Sequence, residues 1–81
     1  MKCNVLLFAQ LAESVGTDRI TLDLPDGSTV ADALEHLSKE HPPIAELRHV
    51  LAAAINERYC NAATALNDGD TLALIPPVSG G

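Results

Sequence analysis

The chain has no tryptophan, one phenylalanine and one tyrosine. Its core must therefore be built from Leu, Val, Ile and Ala, and the stacked aromatics that hold single-stranded nucleic acid are missing. Basic residues are also scarce: five Lys and Arg face eleven Asp and Glu, a net charge of −6. Lys2, Arg19, Lys39, Arg48 and Arg58 are scattered, which leaves no basic patch to neutralise phosphates. An acidic domain suits a basic protein partner, which it meets faster through electrostatic steering. No run approaches the ~20 apolar residues of a transmembrane helix. The apolar stretch between Met1 and Gln10 is too short and too weakly basic for a signal peptide. The expectation is a cytoplasmic protein with no membrane or nucleic-acid partner. Cys3 and Cys60 would be reduced there and form no C-x-x-C pair, so they read as small apolar fillers on strands.

Metal ligands are short as well. His36 and His41 stand five apart, off the i, i+4 spacing of a helical pair, and Pro42 follows directly. Asp68 and Asp70 flank a glycine and fall far below the ligand count of a calcium site, so turn chemistry accounts for them. No metal and no cofactor bound by this chain are expected.

What is present suits one small domain of 81 residues, 47% of them hydrophobic. Domains this small bury only about 60% of the surface the unfolded chain exposes, which makes their stability marginal. Val5 to Phe8 is an unbroken apolar run, the pattern of a strand buried on both faces. Leu11 to Val15 predicts a short helical turn closed by Gly16. Arg19 to Leu24 alternates as a half-wet strand should, and Pro25-Asp26-Gly27-Ser28 ends it.

The main helix starts at Thr29 or Ser28, with Asp32 three residues on. Val30, Leu34 and Leu37, with Ala33 alongside, form one core-facing stripe. His41-Pro42-Pro43 stops the helix, and Pro43 opens a short second one. Leu51 to Ile55 predicts a strand ended by an Asn56-Glu57 turn, followed by a short strand around Tyr59-Cys60. Leu66 to Asp70 is a turn, and Thr71 to Ile75 the last strand, ended by Pro76 and Pro77. Topology rules place the first two strands as a pair and the last strand parallel to the first, in one mixed sheet with a helix across one face.

The final residues are Gly80 and Gly81. Glycine has no Cβ, so a backbone of this kind enters a channel too narrow for other residues and can offer a terminal carboxylate there. A frayed, functionless terminus is the ordinary alternative.

The ending Pro76-Pro77-Val78-Ser79-Gly80-Gly81 resembles that of the small, sulfur-carrier subunits of molybdopterin synthase. So do Val5 to Leu11, the Pro-Asp-Gly-Ser-Thr-Val segment at 25–30, Ala54-Ile55-Asn56, and Leu66-Asn67-Asp68-Gly69-Asp70. The likeness spans essentially the whole chain. It implies an α+β, ubiquitin-like β-grasp domain over residues 1–75 and an extended, flexible tail over 76–81. It implies that Gly81 is adenylated by an E1-like activating enzyme using ATP with magnesium. Sulfur from a persulfide donor then makes a thiocarboxylate, which serves a cyclic pyranopterin monophosphate precursor in molybdenum cofactor biosynthesis.

The chain would then be the sulfur-donating subunit of a heterotetrameric sulfurtransferase, with the catalytic side chains on the large subunit. Pro76, Pro77, Val78, Ser79 and Gly80 would form the inserted stalk, whose six residues with Gly81 span at most ~20 Å. Phe8, Leu74 and Ile75 divide between core packing and partner interface, and the resemblance favours the interface. The family often carries an arginine where this chain has Ala12, and the alanine-rich segment Asn61 to Ala65 is unusual for it. Related carriers for thiamin thiazole or tRNA thiolation, and ubiquitin-like protein modifiers, share the same chemistry at the tail.

Overall fold

The fold starts from β1 (Lys2–Leu7), in which every second side chain turns inward: Cys3, Val5 and Leu7 are buried. In this computed structural model the described residues are 1–77, so the expectations for Val78, Ser79, Gly80 and Gly81 lie outside them. The strand begins three residues before the expected one and is buried on one face. Leu6 sits half-buried on the other face, and Phe8 falls outside the strand, 44% exposed.

Helix α1 (Ala9–Val15) buries Leu11 and closes at Gly16, whose φ of +93° is the left-handed cap glycine accommodates. Strand β2 (Arg19–Asp23) returns antiparallel to β1, pairing Val5 with Ile20 and Cys3 with Leu22.

Helix α2 (Val30–Glu40) starts with a complete capping box, as the Thr29–Asp32 spacing predicts. Thr29 Oγ1 accepts from the Asp32 N–H at 3.3 Å, and Asp32 accepts from the Thr29 N–H at 2.9 Å. The expected stripe of Val30, Ala33, Leu34 and Leu37 is buried.

The alanine-rich segment now has a role. Its carbonyls complete the start of α2: Val30 N–H donates to Thr64 O at 3.0 Å and Ala31 N–H to Ala62 O at 2.9 Å. These are two of the free donors every helix start carries. Asn61 Oδ1 accepts from the Ala63 N–H at 2.9 Å and so folds the segment into that position.

Short α3 (Pro42–Leu47) follows, with proline at its start and Ile44 fully buried. Strands β3 (Ala52–Ile55) and β4 (Arg58–Cys60) form a two-residue hairpin, and β5 (Thr71–Ile75) runs between β1 and β3. The sheet order is β2-β1-β5-β3-β4, with β1 and β5 parallel as topology predicts and the other pairs antiparallel. The stripe of α2 packs with Val5, Leu7, Leu22, Leu72 and Leu74 in one core.

Asp68 and Asp70 hold the turn before β5. Asp68 accepts from the Lys2 N–H and Asp70 from the Asn67 N–H, each at 2.8 Å. Both cysteines are free. Burial pushes the Cys3 thiol up, with Asp70 and Asp68 adding to the effect, and burial also raises Cys60. Among the described residues, no helix is long and apolar enough to cross a membrane.

Candidate functional site

β5 carries the chain toward its tail, and its alternation decides which residues a partner can reach. Leu72 and Leu74 point into the core with no exposed surface. Thr71, Ala73 and Ile75 are half-buried on the opposite face, which no helix among the described residues covers. The interface role expected of Leu74 is therefore corrected. One residue of register places it under α2, because side chains on a strand alternate strictly between faces.

Pro76 is also buried, although it was expected to begin a free stalk. Pro77 is the first residue past β5 that is exposed. A proline here ends the strand because it has no N–H to give the ladder.

The register assembles the open face row by row. Leu6 lies opposite Ala73, Ala73 opposite Ala54, and Ala54 opposite Tyr59. Ile75 lies opposite Ala52 at the tail end. Leu6, Phe8, Ala54, Tyr59, Ala73 and Ile75 line one apolar groove. Tyr59 is 78% exposed and Phe8 44%, both unusual for large side chains in so small a domain. The other half of this face is polar: Lys2 lies opposite Asp23, and Asn4 opposite both Thr21 and Thr71. The open face is thus apolar where β5 hands over to the tail and polar where β5 begins.

Phe8 reaches this groove through a backbone turn. It caps α1 in an extended conformation without a side-chain bond, and Ala9 follows at φ +51°. A non-glycine residue in that region costs on the order of 1 kcal/mol. Ala12, where the resemblance suggests arginine, is half-buried against the core and lines a hollow with Phe8 and Asp18. The rim here therefore has an acidic side chain and no cation from α1.

The second rim is the β3–β4 turn. Asn56 and Glu57 sit at φ +49° and +72°, the mirror-image turn that matches strand twist. Asn56 is tied down: its Nδ2 donates to Asp70 at 2.9 Å and its Oδ1 accepts from the Thr71 N–H at 3.0 Å. Glu57 lines the apolar groove.

Of the residues singled out in sequence, Phe8 and Ile75 meet at this groove. Leu6, Ala54, Tyr59 and Ala73 were missed. Their signal was parity with Ile75 once the strand register is set, and Tyr59 was marked as the single tyrosine. Among the described residues no group of three His, Cys, Asp or Glu side chains gathers as a metal site.

This architecture has known counterparts. A molybdopterin synthase sulfur carrier subunit from Arabidopsis thaliana is 38% identical, the match covering 100% of this chain and 84% of that protein. The crystal structure of SAMP1 from Haloferax volcanii superimposes with a TM-score of 0.87 at 33% identity, covering 100% of both chains. A solved complex of subunits 1 and 2 of the molybdopterin-converting factor from Helicobacter pylori contains a chain similar over 100% of both lengths, with a TM-score of 0.70 and 28% identity. The sheet order and main helix make the fold an α+β, ubiquitin-like β-grasp. The model of the ThiS family matches residues 5–81, and with full-length relatives at this identity the chain belongs to that family.

Proposed function

We propose that this chain is the sulfur-carrier small subunit of a molybdopterin synthase. The observation that carries the reading is the apolar half of the open sheet face, placed where β5 delivers the chain to Pro77, in a chain similar over its full length to such subunits. An aromatic and aliphatic patch of this kind is suited to a protein partner. The large subunit is that partner here, in line with the two-subunit complex solved for the Helicobacter pylori relative.

The chemistry belongs to the tail. A carboxylate is a poor acyl donor until its oxygen attacks the α-phosphorus of ATP and expels pyrophosphate. This occurs on an E1-like activating enzyme that holds the magnesium. A persulfide then attacks the glycyl carbonyl and AMP leaves. Cleavage of the acyl persulfide by a thiol gives the Gly81 thiocarboxylate and a disulfide. The sulfur is anionic and nucleophilic for the reason a thiolate is.

From the exposed Pro77, the four residues Val78 to Gly81 span at most about 14 Å. A partner docked on the groove thus finds Gly81 within one short reach. Val78 fills an apolar notch, Ser79 hydrogen-bonds in the channel, and Gly80 and Gly81 pass where a Cβ would clash. Phe8 and Ile75 anchor the docked face. Two loadings supply the two dithiolene sulfurs built onto the cyclic pyranopterin monophosphate precursor, and the acid–base side chains come from the large subunit, in the cytoplasm.

The test is reconstitution with activating enzyme, persulfide donor, large subunit and pyranopterin precursor. Deleting Gly81 leaves a folded protein that transfers no sulfur, and retained transfer overturns the reading. A second reading, a protein modifier, is favoured by the likeness to the small archaeal modifier protein 1 of Haloferax volcanii. Gly81-dependent conjugates of larger mass on a blot would select it.

A further inference from the structure

We infer that Glu57 is a specificity-determining contact, pairing with a cationic side chain of the large subunit that covers the apolar groove. The inference rests on the docking reading above and adds a residue to it. Three observations meet at this position. The β3–β4 hairpin has a two-residue loop, with Ile55 paired to Arg58. Both loop residues have positive φ, which favours Asn at the first place and Gly at the second. Asn56 fits and is bonded to Asp70 and Thr71, but Glu57 holds φ +72° where glycine would be unstrained. Among the described residues the exposed Glu57 side chain makes no hydrogen bond or ion pair, which leaves its carboxylate available to a partner.

Its position is informative. Glu57 lines the groove at the end where β5 begins, beyond the Asn56–Thr71 bond, with Phe8 and Ile75 at the other end; Arg58 lines the hollow on the other side of β4 with Cys60 and Asn67. The row across the open face runs from Arg19, opposite Leu6, through Ala73 and Ala54 to Tyr59. One end of the row carries the Arg19 cation and the other is Tyr59, two residues along β4 from the Glu57 turn. Five strands at a spacing of ~4.8 Å hold these ends about 19 Å apart. A flat apolar patch alone leaves a partner free to dock in several orientations, and opposite charges at its two ends select one. With a net charge of −6, the chain is complementary to a cationic partner surface at this rim.

The experiment compares wild type, Glu57→Gly and Glu57→Lys for thermal stability and for binding to the cognate large subunit at about 50 mM and about 500 mM salt. Glu57→Gly should melt about 4 °C higher, because the turn strain is relieved. It should nonetheless bind about 3-fold to 5-fold more weakly at low salt, with the deficit disappearing at high salt. Glu57→Lys should lose on the order of 10-fold at low salt. Opposite signs for stability and binding separate a contact from a structural role. A lower melting point for Glu57→Gly, equal binding by all three, or a deficit unchanged by salt overturns the inference. If wild type itself fails to bind, the docking reading falls and takes this one with it; if wild type binds and Glu57→Gly matches it, this one alone falls.

Discussion

Leu74 and Ile75 are neighbours on one strand and belong to different worlds. Leu74 is sealed between the sheet and α2, whereas Ile75 looks out on the groove beside Phe8 and Tyr59. The same contrast runs through β1, where Leu7 is core and Leu6 faces outward. Both faces of these strands carry aliphatic side chains, but α2 covers one and the other is left open. On the proposed docking, the apolar residues of the open face are buried only in the complex, so apolarity on a strand need not mean burial in the lone chain.

Truncation at the two neighbours gives the largest contrast. Leu74→Ala should cost about 2–5 kcal/mol, the range for emptying a tightly packed site and a large share of the stability of a small domain. Ile75→Ala should cost about 1 kcal/mol or less in stability. It should instead weaken large-subunit binding by about 30-fold, as loss of an interface anchor of ~2 kcal/mol does. Chemical denaturation and titration calorimetry on both variants would show it. Equal stability losses with unchanged binding would erase the distinction between the faces.

A smaller effect is expected on the covered side. Thr29→Ala removes half of the capping box and should lower stability by about 1 kcal/mol, or about 4–8 °C in melting temperature, with partner binding intact. The smallest lies on the outer surface of α2. Arg48 donates to Glu35 at 2.7 Å, and this bond and its charge hold the Glu35 carboxyl below the usual glutamate range, with Lys39 adding to the effect. A depressed folded-state pKa gives a stabilisation that is present above the unfolded value and fades as pH falls through the folded one. Wild type should therefore melt slightly above Glu35→Gln near neutral pH, and the two should converge in acid.

Much of the covered side was legible in the sequence. Thr29, Asp32 and the Val30–Ala33–Leu34–Leu37 stripe define a helix by spacing alone, and these are local signals. Gly16 and the 66–70 turn are legible for the same reason. The open side was harder to read. Val5 to Phe8 reads as a strand buried on both faces because a periodicity count cannot tell a core from an interface. The inward position of Leu74 depends on register against β1 and β3, which are distant in sequence. The role of Asn61 to Ala65 was hidden because backbone carbonyls perform it, and side-chain patterns do not report carbonyls. The strain at Glu57 belongs to a backbone dihedral angle, which a residue pattern does not report.

The carrier reading places the reacting atom at the chain's last carbonyl. The most direct measurement is the intact mass of the protein after incubation with ATP, magnesium, the activating enzyme and a persulfide donor, with the change mapped by fragmentation. The account predicts a gain equal to one oxygen-to-sulfur exchange, located on Gly81. An unchanged mass under conditions that load a known carrier, or sulfur found on Cys3 or Cys60 instead, would contradict it.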